Sequence, residues 1–271
     1  MNLLEKTHLI CFATPSHFQR QANLVESAKR FGIKNIYAYT NLDLGEEWHR
    51  LHKEHLKHPE NIAGAYSRIY GYGSWKAHII LETIKKNQIP ENDIIFYCDS
   101  DTEIISSIEP LLEIVEKEKF LCFSVNGCTE VEWSKADTEK AILGFNPETE
   151  IIHFRNNEER KFSFKNSELN RILLSDQYWT AYFFFKNNRE NWEIITEWDV
   201  FMSDYYLVSD TPSRLRNLPV FKEHRHDQTI LSLLLKKKGI EPYRDPGDFG
   251  INHCMENSTY SQIFTFRNDL R

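Results

Sequence analysis

Ile94-Ile95-Phe96-Tyr97-Cys98-Asp99-Ser100-Asp101 is the stretch that decides the reading of this chain. Its first five residues form a nearly continuous apolar run, the pattern of a strand covered on both faces in a parallel sheet. The run delivers two carboxylates, two residues apart, to its C-terminal end, the edge at which open α/β sheets bind ligands. Two carboxylates so close repel each other, and a divalent cation relieves that repulsion. Mg²⁺ or Mn²⁺ takes carboxylate oxygens and completes its shell with diphosphate oxygens. Such an ion neutralises charge on a departing diphosphate as a Lewis acid. The bland alternative is a strand-end turn with solvated acids.

Working outward, strands and helices alternate on both sides of this run. His8–Ala13 reads as a first strand. Gln19–Phe31 reads as a helix with Leu24, Ala28 and Phe31 on one face and Gly32 as its stop. Asn35–Tyr39 is a second strand. Ser74–Lys86 is a helix with Ser74 as its expected N-cap. A turn at Pro90-Glu91-Asn92 leads into the central strand, and Phe120–Val125 is a further one. In the second half, Trp179–Phe185 is an aromatic strand. Asn191–Met202 is a helix with Trp192, Ile195, Trp198 and Met202 on its core side. Asp227–Lys238 is a helix stopped by Gly239. The alternation predicts an α/β fold, a doubly wound, mainly parallel sheet with helices on both faces. Neither a repeat nor a linker breaks the chain. One unit is expected over 1–271, a nucleotide-binding half over about 1–125 and an acceptor and sugar half over about 126–271.

The 271 residues are 41% hydrophobic and 13% aromatic, enough for a packed core. A net charge of −7 lacks the basic surplus of a sequence-independent nucleic-acid binder. Met1–His8 lacks the basic start and apolar run of a signal peptide. No stretch reaches the roughly 18 apolar residues of a membrane span, which leaves room for peripheral membrane association only. Five cysteines, three of them (Cys11, Cys98 and Cys122) in apolar runs, read as buried thiols in a reducing, cytoplasmic compartment.

Three segments together resemble a family. Phe96–Asp101 resembles the DXD motif of GT-A glycosyltransferases. Gly71-Tyr72-Gly73-Ser74-Trp75-Lys76-Ala77-His78-Ile79-Ile80-Leu81 resembles a segment of a group of bacterial and viral sugar transferases. His224-Arg225-His226-Asp227-Gln228-Thr229-Ile230-Leu231-Ser232 resembles a second segment of the same group. Their order and spacing agree. Ala77 stands where proline is usual and Ser74 where an aromatic is common, which leaves the subgroup, and so the sugar, open. The resemblance implies a nucleotide-diphosphate sugar donor, a glycan or other hydroxyl acceptor, and Mn²⁺ or Mg²⁺. It implies Asp101 as a direct metal ligand and Asp99 at the metal or ribose, with Ser100 between them. Thr14, Pro15 and Ser16 would hold base and ribose. Arg68 and Lys76 would meet the diphosphate, where cations offset phosphate charge, although a lysine on a helix can equally snorkel at the surface. Asp227 would act as general base in an inverting reaction, or bind sugar hydroxyls beside Gln228 in a retaining one. Its plain alternative is an N-cap for the helix it opens. His253 would join the metal site, a role more natural with Mn²⁺.

Other signals weigh less. His49, His52, His55 and His58 recur every third residue, but Arg50, Lys53, Glu54 and Lys57 between them read as a solvated face rather than a zinc site. Asp248-Phe249-Gly250 echoes a protein kinase, yet no Gly-rich phosphate loop precedes it and too little chain follows. Cys98-Asp99-Ser100-Asp101-Thr102 also fits a haloacid-dehalogenase-like phosphatase with Asp99 as nucleophile and Asp101 as acid/base. That motif belongs on a first strand, whereas here residues 1–93 precede its strand. A nucleotide-sugar-binding module without turnover is the non-enzymatic alternative.

Overall fold

Side chains alternate across a strand, so a strand whose successive residues are all apolar needs cover on both faces. Leu9 and Cys11 enter one buried cluster and Ile10 and Phe12 another. Ile94, Phe96 and Cys98 divide from Ile95 and Tyr97 in the same way. The computed structural model describes residues 2–57, 70–146, 151–155 and 160–266, with the backbone alone at 151–155 and 160–162. Arg68 and His58 lie outside the described residues.

The first half runs β1 (Thr7–Ala13), α1 (Phe18–Arg30), β2 (Asn35–Thr40), α2 (Gly45–Leu51), α3 (Trp75–Lys86), β3 (Ile94–Cys98), β4 (Thr102–Ile104) and α4 (Glu109–Glu118). It continues with β5 (Phe120–Leu121), β6 (Ser124–Thr129), α5 (Glu130–Trp133), α6 (Ala136–Leu143), β7 (Ile151–Arg155), β8 (Arg160–Phe164) and α7 (Ser167–Leu173). The last part holds β9 (Asp176–Tyr178), β10 (Tyr182–Lys186), α8 (Arg189–Met202), α9 (Tyr205–Val208), α10 (His226–Lys237) and β11 (Phe264–Phe266).

The central sheet has the order β2-β1-β3-β10-β5. β2, β1 and β3 are parallel, and β10 runs antiparallel to both β3 and β5. All strands but β10 therefore point one way, the doubly wound, mainly parallel arrangement the sequence predicts. Leu24 and Ala28 of α1 and Leu111, Leu112 and Val115 of α4 cover one face. Ile79 and Ile80 of α3, Ile195 and Trp198 of α8 and Leu231 and Leu234 of α10 cover the other. Each such side chain stabilises the fold by about 1.5–3 kcal/mol relative to exposure. Cys11, Cys98 and Cys122 are buried thiols, and all five cysteines are free.

Several expected boundaries move, each for a local reason. The strand expected over Phe120–Val125 divides, because Cys122 O and Ser124 N bond to the backbone of Tyr243 instead of to β10. The ladder of the aromatic strand begins only at Tyr182. α8 starts at Arg189, where the Asn188 side chain accepts from Asn191 N. Trp192 on that helix is exposed, whereas Ile195, Trp198 and Met202 are buried as expected. α3 begins at Trp75, and Ser74 does not cap it. Ser74 already has helical dihedrals, and its hydroxyl is buried without a hydrogen-bond partner among the described residues. His52 and His55 are buried, while Arg50, Lys53, Glu54 and Lys57 beside them are exposed.

Candidate active site

The C-terminal edge of the sheet gathers all three of the segments that carry the family resemblance. β3 ends at Cys98 and presents Asp99 and Asp101 there. Beside it, Gly71, Tyr72 and Gly73 hold successive positive φ values of 55°, 59° and 76°. This left-handed turn feeds directly into α3 and places Lys76 in its first turn. Opposite lies the start of α10, entered through His226 at φ 52°. Asp227 follows and packs on the turn: a Cβ on Gly73 would stand 2.8 Å from Asp227 Cγ. Only glycine satisfies both that approach and that dihedral.

Lys76 ties the parts together. Its Nζ lies 2.9 Å from Asp227 Oδ2 and 3.2 Å from Asp99, and it donates to Thr180 O at 3.2 Å. Lys76 and Asp227 are each only 1% exposed. Thr180 Oγ1 donates to Asp227 Oδ2 at 2.9 Å. The Tyr97 hydroxyl donates to Asp99 Oδ1, and the Asp99 backbone N–H donates to Ala181 O. Burial alone would lower the Lys76 pKa, but the Asp227 and Asp99 carboxylates outweigh it and hold the ammonium above its ordinary range. Burial pushes the Asp99 carboxyl up to about 7, with the Asp101 and Asp227 charges adding to it against the pull of Lys76 and Tyr97. Burial and then Asp99 raise the Tyr97 phenol well above its usual value, so it stays protonated as the donor. The repulsion between Asp99 and Asp227 is thus relieved by a built-in ammonium.

Asp101 differs from its neighbour. It is half-buried, and its carboxylate has no hydrogen-bond partner among the described residues. Among those residues no group of three or more His, Cys, Asp or Glu side chains is placed to hold a metal ion. The donor set fits an ion carried by one or two carboxylates together with substrate phosphates, the usual habit of Mg²⁺, rather than an all-protein cage. His253, whose backbone N–H bonds to Gly250 O at 3.1 Å in an exposed segment, forms no such group with Asp99 and Asp101. Thr14, Pro15 and Ser16 follow β1 at the same edge of the sheet, where Thr14 Oγ1, Ser16 Oγ and His17 Nδ1 lie within 3.2 Å of one another. Phe12, at the end of β1, stacks on Trp75 at 3.9 Å. Gln228 turns away from Lys76 and donates to Gln177 Oε1 at 2.8 Å. Gln177 in turn joins a buried network in which Lys236 pairs with Glu130 at 2.8 Å.

No family model matches the chain. No curated protein matches it either. Solved structures that align with it include the apo form of mouse xyloside xylosyltransferase 1, at 10% identity and a TM-score of 0.42. That alignment covers 97% of this chain and 98% of that one.

Two of the plain alternatives fall away in the structure. Asp227 is not an N-cap: α10 begins one residue earlier, Arg225 holds the cap position without a side-chain bond, and the carboxylate turns inward to Lys76. Lys76 is not a snorkelling surface lysine, because its ammonium sits between two carboxylates under the edge of the sheet. Tyr97, Thr180 and Gly73 complete the site. The alternation along β3 puts Tyr97 on the α3 face, and the glycines around Tyr72 mark the turn. Thr180 carries no such signal.

Proposed function

We propose that this chain is a glycosyltransferase that moves a sugar from a nucleotide-diphosphate sugar to a hydroxyl of a glycan acceptor. The observation that carries the reading is the convergence on Lys76. One buried ammonium joins the strand-end Asp99 to the helix-borne Asp227, and Gly73 makes room for that contact. In this reading Asp101 is the protein ligand to Mn²⁺ or Mg²⁺. Asp101, with Asp99 beside it, would hold such an ion, which would supply Lewis-acid stabilisation of the leaving group. Tyr97 and Lys76 fix Asp99, which keeps 26% side-chain exposure, toward the ribose or the ion. Thr14, Pro15 and Ser16 receive base and ribose at the end of β1. Asp227 lacks an open face toward an acceptor hydroxyl, which a general base needs. Its role here is to position Lys76, and through it Asp99. A reducing, cytoplasmic compartment belongs to the same proposal. No helix among the described residues is long and apolar enough to cross a membrane.

The phosphatase alternative asks Asp99 to be an ionised, accessible nucleophile. Both of its oxygens are engaged by Lys76 and Tyr97, and its carboxyl is pushed up to about 7, first by burial. The motif also lies on β3, next to an antiparallel β10, rather than on a first strand.

The test is a thermal-shift panel of UDP-, GDP-, CMP- and dTDP-sugars with and without Mn²⁺, followed by donor turnover. A ligand that binds only the native state raises its melting temperature by mass action. One donor class should stabilise the protein only with metal, and that donor should turn over. No shift with any donor, or full turnover in excess chelator, overturns the proposal. A metal-dependent shift without turnover leaves the binding module.

A further inference from the structure

Asp245-Pro246-Gly247-Asp248-Phe249-Gly250, whose DFG echo the function leaves unused, is one of the most tightly fastened loops in the molecule. Asp245 is fully buried and accepts from the Tyr182 hydroxyl and from Gly247 N at 2.8 Å. A Cβ on Gly247 would collide with the Tyr182 hydroxyl, and one on Gly250 with the Asp245 carbonyl. Pro246 O accepts from Ile263 N and Phe264 N at 2.8 and 3.1 Å. The Asp248 carboxylate accepts from Gln262 Nε2 at 2.7 Å, Thr265 Oγ1 at 3.0 Å and Phe266 N at 2.7 Å. All this fixed geometry presents Phe249 at 59% exposure. Its ring meets Trp179 at 5.7 Å and Phe266 at 5.5 Å, and those two, both half-buried, meet each other at 6.1 Å. These are ordinary aromatic-pair separations. An exposed ring fixed over two half-buried ones is not explained by core packing, and apolar patches of this kind mark binding sites.

Its place names the occupant. Phe266 pairs with Thr102, the residue after Asp101. Trp179 precedes Thr180 and Ala181, which bond Lys76, Asp227 and Asp99. The cluster therefore adjoins the carboxylates from the β10 side. Thr14–Ser16 stand at the end of β1, and β1 and β10 flank β3 on opposite sides. We infer that Trp179, Phe249 and Phe266 form a stacking platform for a pyranose ring of the acceptor. This rests on the proposed donor reading, which gives the β1 side to the nucleotide and leaves the β10 side to the group that receives the sugar. A pyranose offers a C–H face to the rings, and its rim of hydroxyls suits the exposed polar residues that follow Phe249 in the chain, Asn252 and His253. An acyl chain would leave those groups unanswered.

The experiment is saturation-transfer NMR on the full chain with the methyl β-glycosides of glucose, galactose, xylose and N-acetylglucosamine. Irradiation of the aromatic protons should reach the C–H protons of one sugar face. The signal should persist in Phe249→Tyr and fall several-fold in Phe249→Ala, whose melting temperature should match wild type because the ring is exposed. No transfer to any glycoside, or undiminished transfer in Phe249→Ala, overturns the inference. Transfer to base protons of UDP or GDP instead gives the platform to the nucleotide and overturns it too. The donor panel runs on the same samples. Glycoside contact through Phe249 without any nucleotide-sugar shift keeps the saccharide platform and removes the donor reading. A donor shift retained in Phe249→Ala with lost glycoside contact supports both.

Discussion

Asp227→Asn separates a surface cap from a buried ion pair. At a helix N-cap, asparagine is as good as aspartate, and the exchange would cost next to nothing. In this structure Asp227 is 1% exposed and 2.9 Å from the Lys76 ammonium. Removing one partner of a buried pair costs about 3–5 kcal/mol, because the remaining charge stays buried and under-compensated. Asparagine still accepts from Thr180, and Lys76 keeps Asp99, so the lower end applies, about 3 kcal/mol. For a domain near this size each kcal/mol moves the melting temperature by about 2–4 °C, which gives a fall of about 6–12 °C. The assay is a circular-dichroism melt at neutral pH on wild type, Asp227→Asn, Lys76→Met and the double variant. The double variant should lose clearly less than the sum of the singles, since both break one interaction. Melting of Asp227→Asn within about 2 °C of wild type, or strict additivity in the cycle, would refute the pairing. Turnover on the same samples should drop with either single variant, because Asp99 loses part of what holds it.

Gly73→Ala and Gly144→Ala share a left-handed backbone, at φ 76° and 72°, and each should pay about 1–2 kcal/mol for it. Only Gly73 meets Asp227, so its melting temperature and donor turnover should fall well below those of Gly144→Ala; equal losses would show that the contact carries nothing. Asp101→Asn should cut turnover by about 10²-fold or more with melting unchanged or slightly raised, since Asp101 pushes against Asp99; wild-type turnover in that variant would remove Asp101 from the chemistry. Glu139 is 1% exposed, its Oε1 is buried without a hydrogen-bond partner among the described residues, and burial, then Glu130, raises its carboxyl well above the ordinary 4.5. A raised folded value means stability complete below about 4.5 and lost as pH rises toward the folded value. Glu139→Gln should therefore melt higher than wild type at pH 8 and converge with it near pH 4; a gap that does not shrink on acidification would refute the assignment.

What the sequence disclosed tracks how local each cause is. The apolar run of β3 had to be a two-sided strand, and its carboxylates had to fall at the C-terminal edge. Gly71 and Gly73 could have marked the turn before α3. The inward orientation of Asp227 had no local cause to read. It depends on Lys76 and Thr180, on other elements, and on a one-residue extension of α10 through the strained His226. Lys76 read equally as a diphosphate contact and as a surface lysine, because both carboxylates that hold it lie far away in the chain. The split after β5 depends on Tyr243, a partner far along the chain.

The antiparallel β10 also governs when this site can exist during synthesis. β3 emerges with its carboxylates long before the strand that flanks it, and β5 cannot join the sheet without β10 between them. Thr180 arrives with β10, and Asp227 later still. Until α10 has left the ribosome, the Lys76 ammonium and the Asp99 carboxylate lack their enclosing partners, and one whole margin of the sheet is an unpaired edge open to wrong partners. A fragment that stops after β5 would therefore be a sticky half-sheet rather than a free nucleotide-binding unit. Assembly of the molecule is limited by a long-range closure, the slow kind of folding step, and the same closure completes the ion cluster.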